Sequence, residues 1–255
     1  MHPETAARLV DLNFEFYQSF APAFAATRRR IQPGVRRILG QLPPGGDWLD
    51  LGCGSGALAA EWARKGRTGS YFGLDFSEEL LEEARRALPQ TLPGSLKVDF
   101  STANLFEPDW PGKLPRQSFD GVLAFASLHH LPGLELRTRI LHQVHSLLVP
   151  GGLFFHSNWQ FQHSPRLVAR RQAWQSIDLE EEDVEPGDTL LDWRYTLPGE
   201  PERTGLRYVH LFSRPELEEL AALTGFDILE EFESDGEGGR LGLYHTWHAR
   251  FPVQG

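Results

Sequence analysis

The chain has 255 residues, 40% of them hydrophobic, and a formal net charge of −10 at pH 7. That is enough for one large α/β domain with a small insertion, and no apolar run reaches membrane-spanning length. The acidic excess argues against unassisted, non-specific binding to a polyanion, because the long-range field repels it, while leaving room for a local basic face.

Residues 1–42 read as an N-terminal helical cap: LVDLNFEFYQSFAPAF has near-helical apolar spacing interrupted by Pro22, and GVRRIL is a second amphipathic stretch. PPGG, Pro43 to Gly46, turns the chain into a first buried strand, Trp48 to Leu51. GALAAEWARKG is a helix ended by Gly66, YFGLD a second strand, and SEELLEEARRAL a helix with Ser77 and a following acid as a capping box. LKVDFSTANLF gives a third strand with its exit loop, FDGVLAFASLHHL a fourth, and ELRTRILHQVHSLL the next helix. LVPGGLFFHSNW is a helix end, a Pro-Gly-Gly turn and a fifth strand. Residues 160–209 show no clean βα repeat and read as an irregular insertion with prolines and an acidic run. RPELEELAALTGF is a helix terminated by Gly225, and DILEEFESD and RLGLYHTWHARF are two final strands joined by a glycine-rich loop.

Alternating strands and helices require a mostly parallel sheet with helices on both faces, and the final pair, joined without a helix, must be antiparallel at least once. The expected architecture is therefore a single Rossmann-like α/β domain over 1–255, with its ligand at the carboxyl ends of the early strands. The insertion at 160–209 then lies over that face as the expected substrate-recognition element.

The segment DWLDLGCGSG, a helix, then YFGLD carries the chemistry. A glycine-rich loop alone is a weak signal. Here it follows a buried strand and opens a helix, and the second strand ends in Asp75 about twenty residues past the last glycine, as a βαβ unit dictates. Gly52, Gly54 and Gly56 let backbone approach a ligand, and Asp75 is placed for two ribose hydroxyls, so the site suits an adenosine-containing cofactor. Dinucleotide sites need G-x-G-x-x-G to seat a pyrophosphate; this chain has D-x-G-x-G-x-G, with Asp50 before the first glycine. That pattern resembles motif I of the class I S-adenosylmethionine (SAM) methyltransferases, whose fold has a seven-stranded sheet with an antiparallel last strand.

The resemblance implies SAM as cofactor, with Asp50 to Gly56 holding the methionine part and Phe76 beside the adenine. In that family an acid after the third strand pairs with the adenine amino group. Here Asn104 is best placed, followed by Leu105, with Asp99 as competitor. Ala126 and Ser127, ending the fourth strand, border the transferable methyl. Cys53, the single cysteine, reads as a small packing residue rather than a nucleophile, and its being alone excludes an intrachain disulfide or a cysteine-based zinc site. His142 sits in HxxxH spacing without an obvious third metal ligand, so solvated helix surface is the reading and no metal is expected. The opening MHPETAARLV has no signal-peptide pattern, which makes a cytoplasmic location the default.

Further segments extend the resemblance. Tyr17 to Arg28, the His129–His130 pair, GDTLLDWRYTL and Arg207 to Leu217 are similar, in order, to elements of the wobble-uridine tRNA methyltransferases, which methylate the carboxylate of 5-carboxymethyluridine. This implies Tyr17 near the cofactor, tRNA as partner, and a small zinc-binding activator protein like the one those enzymes depend on. The insertion is shorter and more acidic than in the eukaryotic members. A carboxylate nucleophile is already ionised at neutral pH, so the chemistry needs orientation more than a base. Arg28, Arg194, Arg207 and His210 are the candidate cationic clamp, His129 and His130 a base or polar clamp, and Tyr208 and Trp193 stacking surfaces for the base. For the two aromatic residues the alternative is insertion core.

Arginines also cluster at Arg28 to Arg30, Arg36 and Arg37, and at Arg166, Arg170 and Arg171, which reads either as solvated helix faces or as a basic face. Two rival functions stand beside tRNA methylation: a small-molecule methyltransferase, favoured by the acidic charge, and a SAM-binding scaffold without turnover. Convergence of Arg28, Arg194, Arg207 and His210 on one basic patch at the cofactor mouth discriminates between the tRNA reading and an apolar small-molecule acceptor.

Overall fold

The computed structural model describes residues 1–27, 30–92, 94–196 and 202–251, with side chains for all of these except 21–27. Helices α1 (Pro3–Thr27) and α2 (Pro33–Gln41) precede strand β1 (Asp47–Leu51). Then follow α3 (Ala57–Arg64), β2 (Ser70–Asp75), α4 (Glu78–Ala87), β3 (Lys97–Thr102), β4 (Phe119–Phe125), α5 (Leu134–Ser146) and β5 (Leu148–Trp159). The insertion holds α6 (Pro165–Val168), β6 (Arg171–Gln172), β7 (Asp188–Tyr195) and β8 (Arg203–His210), and the chain ends with α7 (Arg214–Thr224), β9 (Phe226–Ser234) and β10 (Gly242–Ala249).

One sheet has seven strands in the order β3-β2-β1-β4-β5-β10-β9, parallel except for β10, which runs antiparallel to both β5 and β9. This is the expected Rossmann-like arrangement. Strand residues alternate between its faces with period two. In β1 and β4, Leu49, Leu51, Val122 and Ala124 join the core under α5 and α7, while Trp48 and Leu123 join the core under α2 and α3. The crossover helices therefore leave the carboxyl ends of β1, β2 and β4 open together on one edge.

Three sequence expectations change. Helix α1 runs through Pro22 rather than stopping there. β5 begins at Leu148, so the Pro-Gly-Gly turn lies within the strand's span. The insertion is not irregular: β6, β7 and β8 form a second, antiparallel sheet, with Asp188 opposite His210 and Leu191 opposite Arg207. Helix α1 packs on β8, where a Cβ at Gly205 would stand 2.4 Å from the Phe20 ring and 2.8 Å from Phe16. Leu9 of α1 shares a buried cluster with Trp174, Leu190 and Tyr208. Among the described residues, no helix is long and apolar enough to cross a membrane.

Candidate cofactor and acceptor site

A cavity of about 600 Å³ opens at the carboxyl ends of β1, β2 and β4, with α1 on one side and the insertion on another. The glycine loop forms its floor. Gly52 and Cys53 both donate backbone N–H bonds to Leu74 O, at 2.8 and 2.9 Å, which ties the loop to β2. Gly52 has φ +75° and lies so close to Ser127 that a Cβ would meet its Oγ at 2.5 Å. Ser127 Oγ in turn donates to Leu51 O at 2.8 Å, so this serine clamps the loop onto the end of β4. Gly54, at φ +54°, has nothing within 4 Å of where a Cβ would be. That open space is the cavity itself, and a ligand can lie against the bare backbone there.

Two carboxylates stand beside the loop. Asp75 lies at the end of β2; its Oδ2 accepts from Gly54 N at 2.9 Å and its Oδ1 from Ser77 N at 3.0 Å. Burial holds its carboxyl above the usual range, against these bonds, which lower it. Asp50, 3% exposed, accepts a bond from Tyr71 Oη. Burial pushes its carboxyl up to about 7, the Tyr71 bond opposing and Asp75 adding. A buried acid of this kind is stabilised in its ionised form by an incoming cation. Burial also pushes the Cys53 thiol well up, with Asp75 and Asp50 adding, and its Sγ packs against Gly73. The thiol therefore stays protonated and serves as packing.

Of the residues assigned to the cofactor from sequence, Tyr17, Asp50, Gly52, Cys53, Gly54, Asp75, Phe76, Asn104, Leu105, Ala126 and Ser127 line the cavity. Gly56 does not; it caps α3 in the left-handed region and packs on Ala84. Asn104 Oδ1 accepts from Phe106 N at 3.1 Å, keeping one lone pair and its amide N–H₂ for a ligand. Asp99, exposed on the edge strand β3, is not at the cavity. Ala126 is held at φ +56°, its N–H bonded to Ser157 O and Oγ, both 3.1 Å away, a strained residue at the cavity wall.

The acceptor side is only partly as expected. His130 lines the cavity. Its Nδ1 lies 3.2 Å from Tyr208 O, which can only accept, so Nδ1 carries a proton; in the neutral ring Nε2 accepts from Tyr17 Oη at 2.8 Å. Arg207, 3% exposed, also lines the cavity, its guanidinium 4.5 Å from the centre of the Trp159 ring and 5.5 Å from that of Phe16. Trp193 lines it too, edge-on to Phe16 and Phe20 and stacked with Tyr195.

Four other expected residues lie elsewhere. His129 is buried behind the wall, stacked on Trp159. Arg194 is exposed and bound to Asp192 at 2.9 Å. Tyr208 is insertion core, its Oη donating to Asp188 Oδ1 at 2.6 Å. His210, 1% exposed, puts Nδ1 2.7 Å from Asp188 Oδ1 and Nε2 2.8 Å from Glu216 Oε1. With a carboxylate at each nitrogen it is held as imidazolium; burial lowers its pKa, but the two acids outweigh that and raise it. Its role is to lock β8 to α7. Arg28 lies outside the described residues.

Sequence reasoning missed Asn13. This buried α1 side chain accepts from Tyr208 N at 2.8 Å and donates to Tyr208 O at 3.1 Å and His130 O at 3.3 Å, fastening the helix to the wall that carries His130. A polar residue within the apolar run LVDLNFEFY was its only signal. It also missed Arg30, Arg166 and Arg170 as cavity residues, although the clusters containing them were visible.

The family profile described as "Methyltransferase domain" matches residues 23–231. The chain belongs to the methyltransferase-domain family. Its domain is that of a SAM-dependent methyltransferase. A tRNA (carboxymethyluridine(34)-5-O)-methyltransferase from Schizosaccharomyces pombe is 27% identical over 233 residues, 85% of this chain and 89% of the relative. A probable tRNA methyltransferase from Bos taurus is 26% identical over 60% of this chain, which spans only 30% of that relative's length. Among solved structures, a SAM-dependent methyltransferase from Methanosarcina mazei superposes with a TM-score of 0.59 at 24% identity, covering 86% of this chain and 98% of that one. A methyltransferase from Streptomyces caelestis gives 0.60 at 21% identity, with 84% and 88% covered. The bare backbone at Gly54, the cation-favouring Asp50 and the strand-end Asp75 fit SAM.

Proposed function

We propose that the protein transfers a methyl group to the carboxylate of a modified wobble uridine in tRNA. One observation carries this reading: Arg207, a buried permanent cation, lines the same cavity as the cofactor loop. The planar fork of a guanidinium matches a carboxylate bidentately, and this one faces the space beside the cofactor loop. The name of the fission-yeast relative, which matches nearly its whole length here, points to the same chemistry.

Bound SAM supplies an electrophilic sulfonium methyl. Asp50, Asp75 and the backbone at Gly54 hold it; Arg207 orients the acceptor carboxylate, which needs no deprotonation at neutral pH. His130, its tautomer fixed by Tyr208 O and Tyr17, is a positioned polar wall rather than a base for this step. Trp193 offers the acceptor ring a face. A cavity of about 600 Å³ admits a cofactor and one base, so an RNA would present a single extruded nucleotide. A small activator protein belongs to the same reading. A second reading, a small-molecule carboxylate acceptor, is favoured by the net charge of −10.

The test is methyl-labelled SAM incubated with bulk tRNA, with and without prior alkaline hydrolysis of the tRNA's esters. Label mainly on the hydrolysed sample, released again by alkali, is the expected result. Label that survives alkali contradicts an ester product. No label on either sample, with SAM binding intact, turns attention to a metabolite extract and to a missing activator.

A further inference from the structure

Many surface arginines on this acidic protein are paired: Arg37 with Glu230 at 2.6 Å, Arg86 with Glu82 and Glu83 at 2.8 and 2.6 Å, and Arg240 with Glu233 at 2.9 Å. Those with only backbone or ring contacts include Arg36, Arg139, Arg171 and Arg203, away from the cavity lining. A further group is Arg30, Arg166 and Arg170. All three line the cavity, yet no carboxylate among the described residues stands within ion-pair distance of them. The three acids that line the same cavity are already engaged: Asp50 accepts from Tyr71 Oη, Asp75 from Gly54 N and Ser77 N, and Asp235 from Gly34 N at 3.0 Å and Tyr244 Oη at 2.5 Å. Arg30 and Arg166 are exposed and Arg170 is half-buried, so they rim the mouth above the buried Arg207. Acids outnumber Lys and Arg by 35 to 25, so three arginines left without one at a single opening form a local reversal of sign.

We propose that Arg166 and Arg170, with Arg30 across the mouth, form a subsite for a phosphate group of the methyl acceptor. Arginine forks match phosphate oxygens bidentately, and a positive rim on a negative protein steers an anion toward this opening. It rests on the proposed function only in taking this mouth as the acceptor's route of entry. The phosphate has two sources: a phosphodiester beside an extruded nucleotide, or a phosphate monoester on a small acceptor.

The experiment uses the full chain loaded with S-adenosylhomocysteine. Line broadening of the phosphorus resonance of inorganic phosphate is compared between wild type, Arg166→Ala/Arg170→Ala and the control Arg37→Ala/Arg240→Ala, whose arginines are acid-paired and do not line the cavity. SAM affinity, measured in parallel, shows that each variant is folded. We expect the Arg166/Arg170 variant to lose at least about fivefold in phosphate affinity and the control to keep it. Equal phosphate affinity in wild type and in the Arg166/Arg170 variant overturns the subsite. A second arm titrates an anticodon stem-loop and uridine 5′-monophosphate. A stem-loop affinity that falls at least about tenfold, with a salt slope reduced by about one to two, assigns the phosphodiester source. Loss confined to the monophosphate assigns the monoester, leaving the subsite in place while the tRNA reading falls.

Discussion

At the residue scale, Asp50, Asp75 and Arg207 have opposite electrostatic tasks in one cavity, the acids facing a cation and the arginine an anion. Asp50 is a buried acid with a pKa near 7 in a site that must take a cationic ligand. Below that pH a proton must leave before the cation is welcomed. We expect the SAM dissociation constant to weaken about tenfold per pH unit below about 7 and to level off above it, as measured by titration calorimetry. Asp50→Asn should bind SAM more weakly and lose the pH dependence; an unchanged slope in that variant would rule Asp50 out as its source. Gly54→Ala makes a complementary case. Its Cβ meets no protein atom, so the fold should lose only about 1 kcal/mol from the left-handed backbone, while SAM affinity drops at least about tenfold because the methyl occupies ligand space. Retained affinity would show that no ligand approaches that backbone. The glycine loop and both acids were legible because a chemical task fixes their spacing locally. Arg207 was named as one of four clamp candidates, with nothing local to set it apart from Arg194 and His210, and Asn13 was not legible at all, because its partner Tyr208 is 195 residues away and nothing local encodes that pairing.

At the element scale the second sheet and α1 form the acceptor wall together. Prolines suggested an irregular insertion, but Pro165 starts α6 and Pro186 precedes β7, where a missing N–H costs no ladder bond. Gly205 lets α1 approach β8. Gly205→Ala overpacks that contact by about 1–3 kcal/mol, so amide hydrogen exchange in α1 should accelerate while α5 and α7 keep their protection. Unchanged α1 exchange would mean that the helix is held elsewhere. His210 ties β8 to β7 through Asp188 and to α7 through Glu216. Removing it leaves the buried Asp188 without its cation, and His210→Ala should cost about 3–5 kcal/mol near pH 6. The sign of its pH dependence follows from the raised pKa: the folded state holds the extra proton. The stabilisation is complete below the unfolded value of about 6.5 and disappears as pH rises through the folded one. In thermal melts, the gap between wild type and His210→Gln should therefore narrow with increasing pH, and a widening gap would contradict an imidazolium.

At the scale of the whole molecule, a mostly parallel sheet with helices on both faces and an antiparallel pairing in its final strand pair followed from the alternation of strands and helices, which leaves few other ways to bury both sheet faces. The seven strands came from the resemblance, and the strand order is a finding of the structure. The acceptor side was less legible, because His129, Tyr208 and His210 share a neighbourhood with the cavity while belonging to the packing behind it. A net charge of −10 and a mouth carrying arginines coexist because the acidic runs at Glu180 to Asp183 and Glu216 to Glu219 do not line the cavity. The central claim joins the cofactor loop to Arg207 in one reaction. The most direct test compares wild type with Arg207→Ala for methyl transfer to alkali-hydrolysed tRNA, alongside SAM affinity. We expect SAM affinity within about twofold and transfer reduced about 100-fold, the scale of roughly 3 kcal/mol for a charge-assisted contact. Transfer that survives intact in Arg207→Ala would contradict the assignment of the buried arginine as the acceptor's clamp.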